Sequence, residues 1–292
     1  MDDVKGGLSA IAKLAPIAVS FVLVSACEPE DDTQQTARVT ERVQGTQDLD
    51  RAFAEPPGEG IAIVNGSQAA SIQIEMPEDM DQFSQALREE LERRANSGTE
   101  AFIAAAESDQ QMAAEKGFEY SPHSLDVKWM QTGPQEGRLR GLLGTYATYT
   151  GGAHSNVGFD VLNWDIEADE QVAFEDIFED AAAARANIAM VLKRKLLVAK
   201  RERLEDRTSS DADILQTWVD PAFDGNISVF DHFSISRSTE AGKAGGLIYH
   251  FAPYEVGAYA EGIYVIGVDQ EEFRSDLKAT YADAFGGEAI LP

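Results

Sequence analysis

The chain has 292 residues, 43% of them hydrophobic and 9% aromatic, enough to bury a sizeable core and too many for a disordered or fibrous polymer. Its 51 acidic against 24 basic residues give a formal net charge of -27, a field that repels phosphate backbones, so no nucleic-acid partner is expected. Cys27 is the single cysteine, which excludes an intramolecular disulfide.

The chain opens with a leader. Lys5 and Lys13 precede an uncharged run, Leu14 to Ala26, interrupted by Pro16, the pattern of a signal peptide over residues 1–26. At ~1.5 Å per residue, about 13 residues of helix cover roughly 20 Å, short of the ~30 Å hydrocarbon thickness. Val24-Ser25-Ala26-Cys27 follows directly and resembles the lipobox of bacterial lipoproteins. Small residues admit the peptidase, and the Cys27 thiol accepts the lipid. Two or more acyl chains then hold the chain to a membrane. An ordinary cleaved leader, or an uncleaved anchor, is the alternative. The expected location is the cell envelope, facing the periplasm. Glu28, in place of an aspartate that would signal inner-membrane retention, favours the outer membrane in a Gram-negative cell.

Residues 27–60 are polar, lack any sustained period and end in Pro56-Pro57-Gly58, so a flexible acidic tether is expected. The remainder, 61–292, reads as one α+β extracytoplasmic domain, with a division into two subdomains near 135–150 left open. Ser71 to Glu75 alternates as a strand with one buried face. Pro77-Glu78-Asp79 suits the first turn of a helix carrying Phe83, Leu87 and Leu91, which continues past a break at Ser97-Gly98 towards Gly117.

Three strands are then predicted over Ser124–Gln131, Arg138–Tyr149 and Val157–Trp164, separated by Gly133-Pro134 and Gly151-Gly152, an antiparallel meander. A second helix spans Ala181 to Arg203, with a stripe of Ile188, Val191, Leu192 and Leu196. Strands at Ile227–Ile235, Leu247–Phe251 and Ile263–Val268, and a closing helix over Glu271–Ala284, complete the chain. Strands and helices are grouped rather than alternating, which gives α+β: antiparallel sheets with two long helices packed on one side.

Two stretches carry candidate binding chemistry. Tyr149-Thr150-Gly151-Gly152-Ala153-His154 ends a strand, where the glycines permit positive φ and Tyr149 and His154 offer polar groups. Residues 247–262 lead from a strand into a tyrosine-rich loop. Tyr249 and Phe251 alternate on a core face, whereas Tyr254 and Tyr259 are placed to meet a ligand. The competing role for His154 is to bond the backbone of the glycine turn and fix the fold.

With Phe174-Glu175-Asp176-Ile177-Phe178 between them, these motifs resemble the extracytoplasmic domain of unknown function DUF3298, preceded by the DUF4163-type region. That pair is shared by RsiV-type anti-sigma factors and the N-terminal part of PdaC-type peptidoglycan deacetylases. The resemblance covers Ser71 to Leu277 and rests on Gly-Gly-Ala-His at 151–154, Pro-Tyr-Glu-Val at 253–256 and Tyr-Ala-Glu-Gly at 259–262. Ala258 stands where proline is common. The resemblance implies an envelope binding or sensing domain. RsiV-type members bind lysozyme, so a lysozyme-like cationic protein or a peptidoglycan fragment is the expected partner, beside the membrane itself.

No segment long enough to hold a sigma factor and no His-x-x-x-His metal motif is found, so neither relative's output is expected. Enzyme chemistry has fewer pointers. His154 beside Ser155, or His232 beside Asp231, offers an acid–base pair for a wall hydrolase, but no Gly-x-Ser-x-Gly elbow is present. His123, His154, His232 and His250 have no metal-ligand spacing, and no cofactor is expected.

Overall fold

The computed structural model describes residues 62–204, 209–224 and 229–292. The leader, Cys27 and the tether lie outside the described residues. Six strands form the first sheet, in the order β1 (Ala62–Gly66), β2 (Ala70–Glu75), β3 (His123–Gln131), β4 (Leu139–Tyr149), β5 (Asn156–Asp165) and β6 (Glu170–Gln171). β3, β4 and β5 form the expected antiparallel meander. β2 and β3 run parallel, Ile72 opposite Leu125. Two helices intervene, α1 (Gln85–Ala95) and α2 (Thr99–Lys116), and they carry the chain back to the end from which β2 started.

The helix does not begin at Pro77. Residues Met80–Gln82 make a short 3-10 turn, and Phe83 is extended at φ -76 and ψ 153. Ser84 then caps α1, its side chain accepting from the Leu87 N–H at 3.1 Å. Met80 and Phe83 are buried, so tertiary packing sets this corner. The break at Ser97-Gly98 is where the sequence places it, with Gly98 at φ 79.

Period-two alternation aims Ile72, Ile74, Leu125, Val127, Trp129, Leu142, Leu162 and Trp164 at Leu87, Leu91 and Ala95 of α1. Gly144 is required there, because a Cβ would stand 2.6 Å from the Trp129 ring.

The second sheet has the order β10 (Tyr264–Asp269), β9 (Gly246–Phe251), β7 (Phe233–Ile235), and β8 (Arg237–Ser238) pairs with β11 (Ala289–Ile290). Before them come the single turn α3 (Phe174–Ile177) and the long helix α4 (Ala181–Leu204). α4 lays Ile188, Leu192, Leu196 and Ala199 against Tyr249, Phe251, Tyr264 and Ile266.

The opposite face of this sheet, Ile248, Ile263 and Val265, packs on Met130, Val157 and Phe159 of the first. The layers therefore run helix, sheet, sheet, helix, an α+β architecture in which each sheet carries helix on one face. Polar stitches lock the layers. Asn163 Nδ2 donates to Phe233 O at 2.9 Å, its Oδ1 accepts from Ile235 N at 2.8 Å, and Thr132 Oγ1 donates to Ile235 O at 3.0 Å.

Two expected elements are shorter than their patterns. Of the strand predicted over Ile227–Ile235, whose first two positions lie outside the described residues, the described part is regular at Phe233–Ile235, after a 3-10 turn at Val229–Asp231. The closing helix breaks into 3-10 turns at Gln270–Glu272 and Arg274–Asp276 and one α-turn at Ala279–Ala282. Phe273 takes φ -135 and ψ 8, which seats its ring between Phe178 and Phe285, 5.5 Å from each. Leu277 then bridges to Phe178, and burial outweighs helical continuity.

Candidate functional site

The β4–β5 turn and the loop from β9 to β10 come together at one end of the sheet pair. Gly151 sits at φ 86, a conformation that favours glycine, and brings His154 to the exposed rim of the turn. His154 Nδ1 lies 3.1 Å from the carbonyl oxygen of Ser155. The same carbonyl accepts a 2.9 Å bond from the Tyr259 hydroxyl. This bond draws the Tyr259 ring over the imidazole, with centroids 3.7 Å apart and planes inclined by 21°. Tyr254 extends the row, its ring 5.7 Å from that of Tyr259.

Tyr254 is 63% exposed and takes φ 76, a left-handed conformation uncommon outside glycine. Such backbone costs of order 1–3 kcal/mol and persists where the surroundings over-determine it. The loop supplies that determination through its carboxylates. Glu255 Oε2 accepts from the Ala252 N–H at 2.8 Å, and Glu261 Oε1 from the Ala258 N–H at 2.8 Å. Burial pushes the Glu255 carboxyl up, against the Ala252 N–H and His232, which draw it down. Burial also acts to raise Glu261, but Lys200, Tyr264 and the Ala258 N–H hold it below the usual carboxylate range.

Of the candidate residues, His154, Tyr254 and Tyr259 form one row. Gly151 and Gly152 shape the turn beneath it. Tyr149 closes β4 opposite Ser124 and joins none of the row's ring contacts. Tyr249 and Phe251 are core residues, as their alternation predicts.

One of the acid–base pairs read from the sequence is arranged differently. His154 faces the Ser155 carbonyl rather than its hydroxyl. The serine–histidine contact that does form is Ser234 Oγ to His250 Nε2, at 2.9 Å. Ser234 is 0% and His250 1% exposed, so this hydroxyl cannot meet a solvent-borne substrate. Burial, with His232 adding to it, lowers His250 to about 3 and keeps the imidazole neutral. Its Nδ1 has no hydrogen-bond partner among the described residues. No group of three His, Cys, Asp or Glu among the described residues is placed to hold a metal ion, and no described helix is long and apolar enough to cross a membrane.

Sequence reasoning missed the pair beneath the loop, Lys200 and Glu261. The available signal was a lysine one turn beyond Leu196 and next to Ala199 of the core stripe of α4.

Residues 63–157 match the family model of Deacetylase PdaC, and residues 175–271 match that of a protein of unknown function, DUF3298. The resemblance carried by the Gly-Gly-Ala-His and Pro-Tyr-Glu-Val motifs is thereby shown. A DUF3298 family protein from Pseudomonas aeruginosa PAO1 is similar in structure, at 18% identity and TM-score 0.50, over 80% of this chain and 99% of that one. A DUF3298 member from Bacteroides fragilis NCTC 9343 is similar at 16% identity and TM-score 0.50, over 76% and 94%. These likenesses show the fold. No curated protein matches the chain.

Proposed function

We propose that this chain is a lipid-anchored, periplasm-facing envelope protein that binds a peptidoglycan fragment on the row of His154, Tyr259 and Tyr254. PdaC-type and DUF3298 regions are typical of extracytoplasmic, envelope-associated proteins, which fits the leader and the lipobox at Cys27.

The observation that carries the ligand class is the row itself. The Tyr259 hydroxyl and the His154 Nδ1 are turned to the Ser155 carbonyl, so the exposed Tyr254 ring and its hydroxyl lead what the row offers a ligand, a match for the apolar face and hydroxyls of a sugar. Glu255 and Glu261, the carboxylates of the same loop, bond its own backbone amides. The second reading, capture of a lysozyme-like cationic protein, is favoured by the net charge of -27.

Calorimetric titration at low and high salt separates the two. Wall glycan fragments are expected to bind saturably with little salt dependence, and Tyr254→Ala to weaken them about tenfold, equivalent to ~1.4 kcal/mol. Equal binding by parent and variant would sink the site. Steeply salt-dependent capture of lysozyme, without glycan binding, replaces this reading with the second. For the anchor, Cys27→Ser is expected to move the protein from the membrane to the soluble fraction. Retention with membranes and unchanged processing count against lipidation.

A further inference from the structure

We propose that Lys200 and Glu261 are positioning residues for the aromatic row, a buried ion pair that fixes from inside the loop how Tyr259 meets His154. This rests on the row being the binding surface, although its geometry can be tested without any ligand.

Lys200 lies on α4 one position after Ala199, at the end of the stripe formed by Ile188, Leu192 and Leu196, and its side chain is wholly buried. Packing alone would favour an apolar residue there, since a buried ammonium is costly to desolvate and well-packed hydrophobic replacements of buried ion pairs are often neutral or stabilising. What an apolar residue cannot do is bond the inward-facing polar groups of the loop. Lys200 Nζ donates to Val256 O at 2.8 Å and to Glu261 Oε2 at 2.5 Å. The Trp218 and Tyr264 rings, each centred 5.3 Å from Nζ, enclose the remaining space.

The Glu261 carboxylate is the hub. One oxygen accepts from the Ala258 N–H at 2.8 Å, and the other accepts from Lys200 and, at 2.6 Å, from the Tyr264 hydroxyl. Loop, β10 and α4 are thus joined through one side chain. The backbone is drawn in so closely that a Cβ on Gly257 would stand 2.7 Å from this carboxylate. Gly262, at φ 72, then turns the chain out into β10. Arg203 adds bonds to the carbonyls of Glu261 and Ile263.

Tyr259 opens the 3-10 turn Tyr259–Glu261, whose last residue is the hub. With Glu261 pulled inward at one end of this turn, Tyr259 projects outward at the other, onto Ser155 O and the face of His154. The stacking geometry is therefore set by the ion pair and read at the surface.

The full chain, labelled on histidine, provides the test by NMR. Stacking at 3.7 Å gives the His154 ring protons an upfield ring-current shift, assigned with His154→Gln and referenced to Tyr259→Ala, which removes it. Lys200→Met and Glu261→Gln are each expected to move these protons at least halfway to the Tyr259→Ala position. Gly257→Ala, which displaces the carboxylate without changing charge, is expected to do the same and serves if neither charge variant folds. Leu87→Ala, in the core of the first sheet, is the control: it lowers the melting temperature and leaves the His154 shift in place.

Folded variants whose His154 protons stay at the parent position overturn the proposal, as does an equal displacement in Leu87→Ala. Moved protons in a protein whose parent binds no glycan leave the positioning role standing and remove the functional reading.

Discussion

Asn163→Ala tests how the two sheets are held in the register that the row requires. Asn163 is 3% exposed and bonds two backbone groups of β7 at once, the Phe233 carbonyl and the Ile235 N–H. Truncation leaves both unpaired at a buried site, at about 1–3 kcal/mol each, so the expected loss is about 2–6 kcal/mol. For a domain of this size ~1 kcal/mol lowers the melting temperature by about 2–4 °C, and a fall of about 10 °C is the central expectation. Asn163→Leu separates hydrogen bonding from packing, because leucine refills the volume but satisfies neither group. Scanning calorimetry is expected to place both variants well below the parent, and hydrogen exchange to show the Ile235 amide losing protection. An Asn163→Leu protein melting within about 2 °C of the parent refutes the reasoning.

Two further expectations concern acid. Glu90 is lowered to about 2, chiefly by its bond to Arg93 with Arg94 assisting, against burial. A depressed carboxyl adds stability that is full above its unfolded pKa of about 4.3 and disappears as pH falls through about 2, so the gap between parent and Glu90→Gln, at most ~1 kcal/mol at this partly solvated site, should close over that window in thermal melts. His250 behaves differently: an imidazole kept neutral at about 3 lets the unfolded chain bind a proton that the folded one refuses. Stability should therefore fall by ~1.4 kcal/mol per pH unit as pH drops from about 6.5 towards about 3, and His250→Gln should flatten that slope in denaturant titrations.

Where one face of an element is buried and the other is not, the sequence announces it. Ile72 and Ile74, Leu87 and Leu91, and the apolar stripe of α4 all lie where their periods place them. The failures share a cause, a tertiary contact stronger than local pattern. Ser84 intercepts a helix expected from Pro77, and Phe273 leaves helical geometry to reach the ring cluster around Phe178. Strand direction was hidden for a related reason. Nothing in the alternation of β2 or β3 records that the helices between them return the chain to its starting end, which makes the pair parallel.

The row was half legible. Its residue types and loop positions were visible, but the bond from Tyr259 to Ser155 spans 104 positions and no local period reports it. Lys200 was harder still, since a lysine beside an apolar stripe reads as a solvated edge until the loop folds over it.

The position of the row relative to the matched regions gives the strongest argument for a function that belongs to both together. His154 lies near the end of the region matching Deacetylase PdaC, whereas Tyr254 and Tyr259 lie near the end of the region matching DUF3298. Each region supplies part of one surface, and the layer contact made by Met130, Val157 and Phe159 with Ile248, Ile263 and Val265 brings the parts into stacking distance. Polar bonds add direction to this apolar contact: Asn163 and Thr132 fix β7 against the first sheet, and Glu261 with Lys200 fixes the loop against α4. A site assembled this way depends on register. A shift of about 1 Å between the layers would lengthen the Tyr259 to Ser155 bond beyond useful range and unstack the imidazole, while leaving both cores buried. Buried amide and carboxylate side chains at the joins are therefore the expected means of holding an exposed aromatic surface built from two regions of chain.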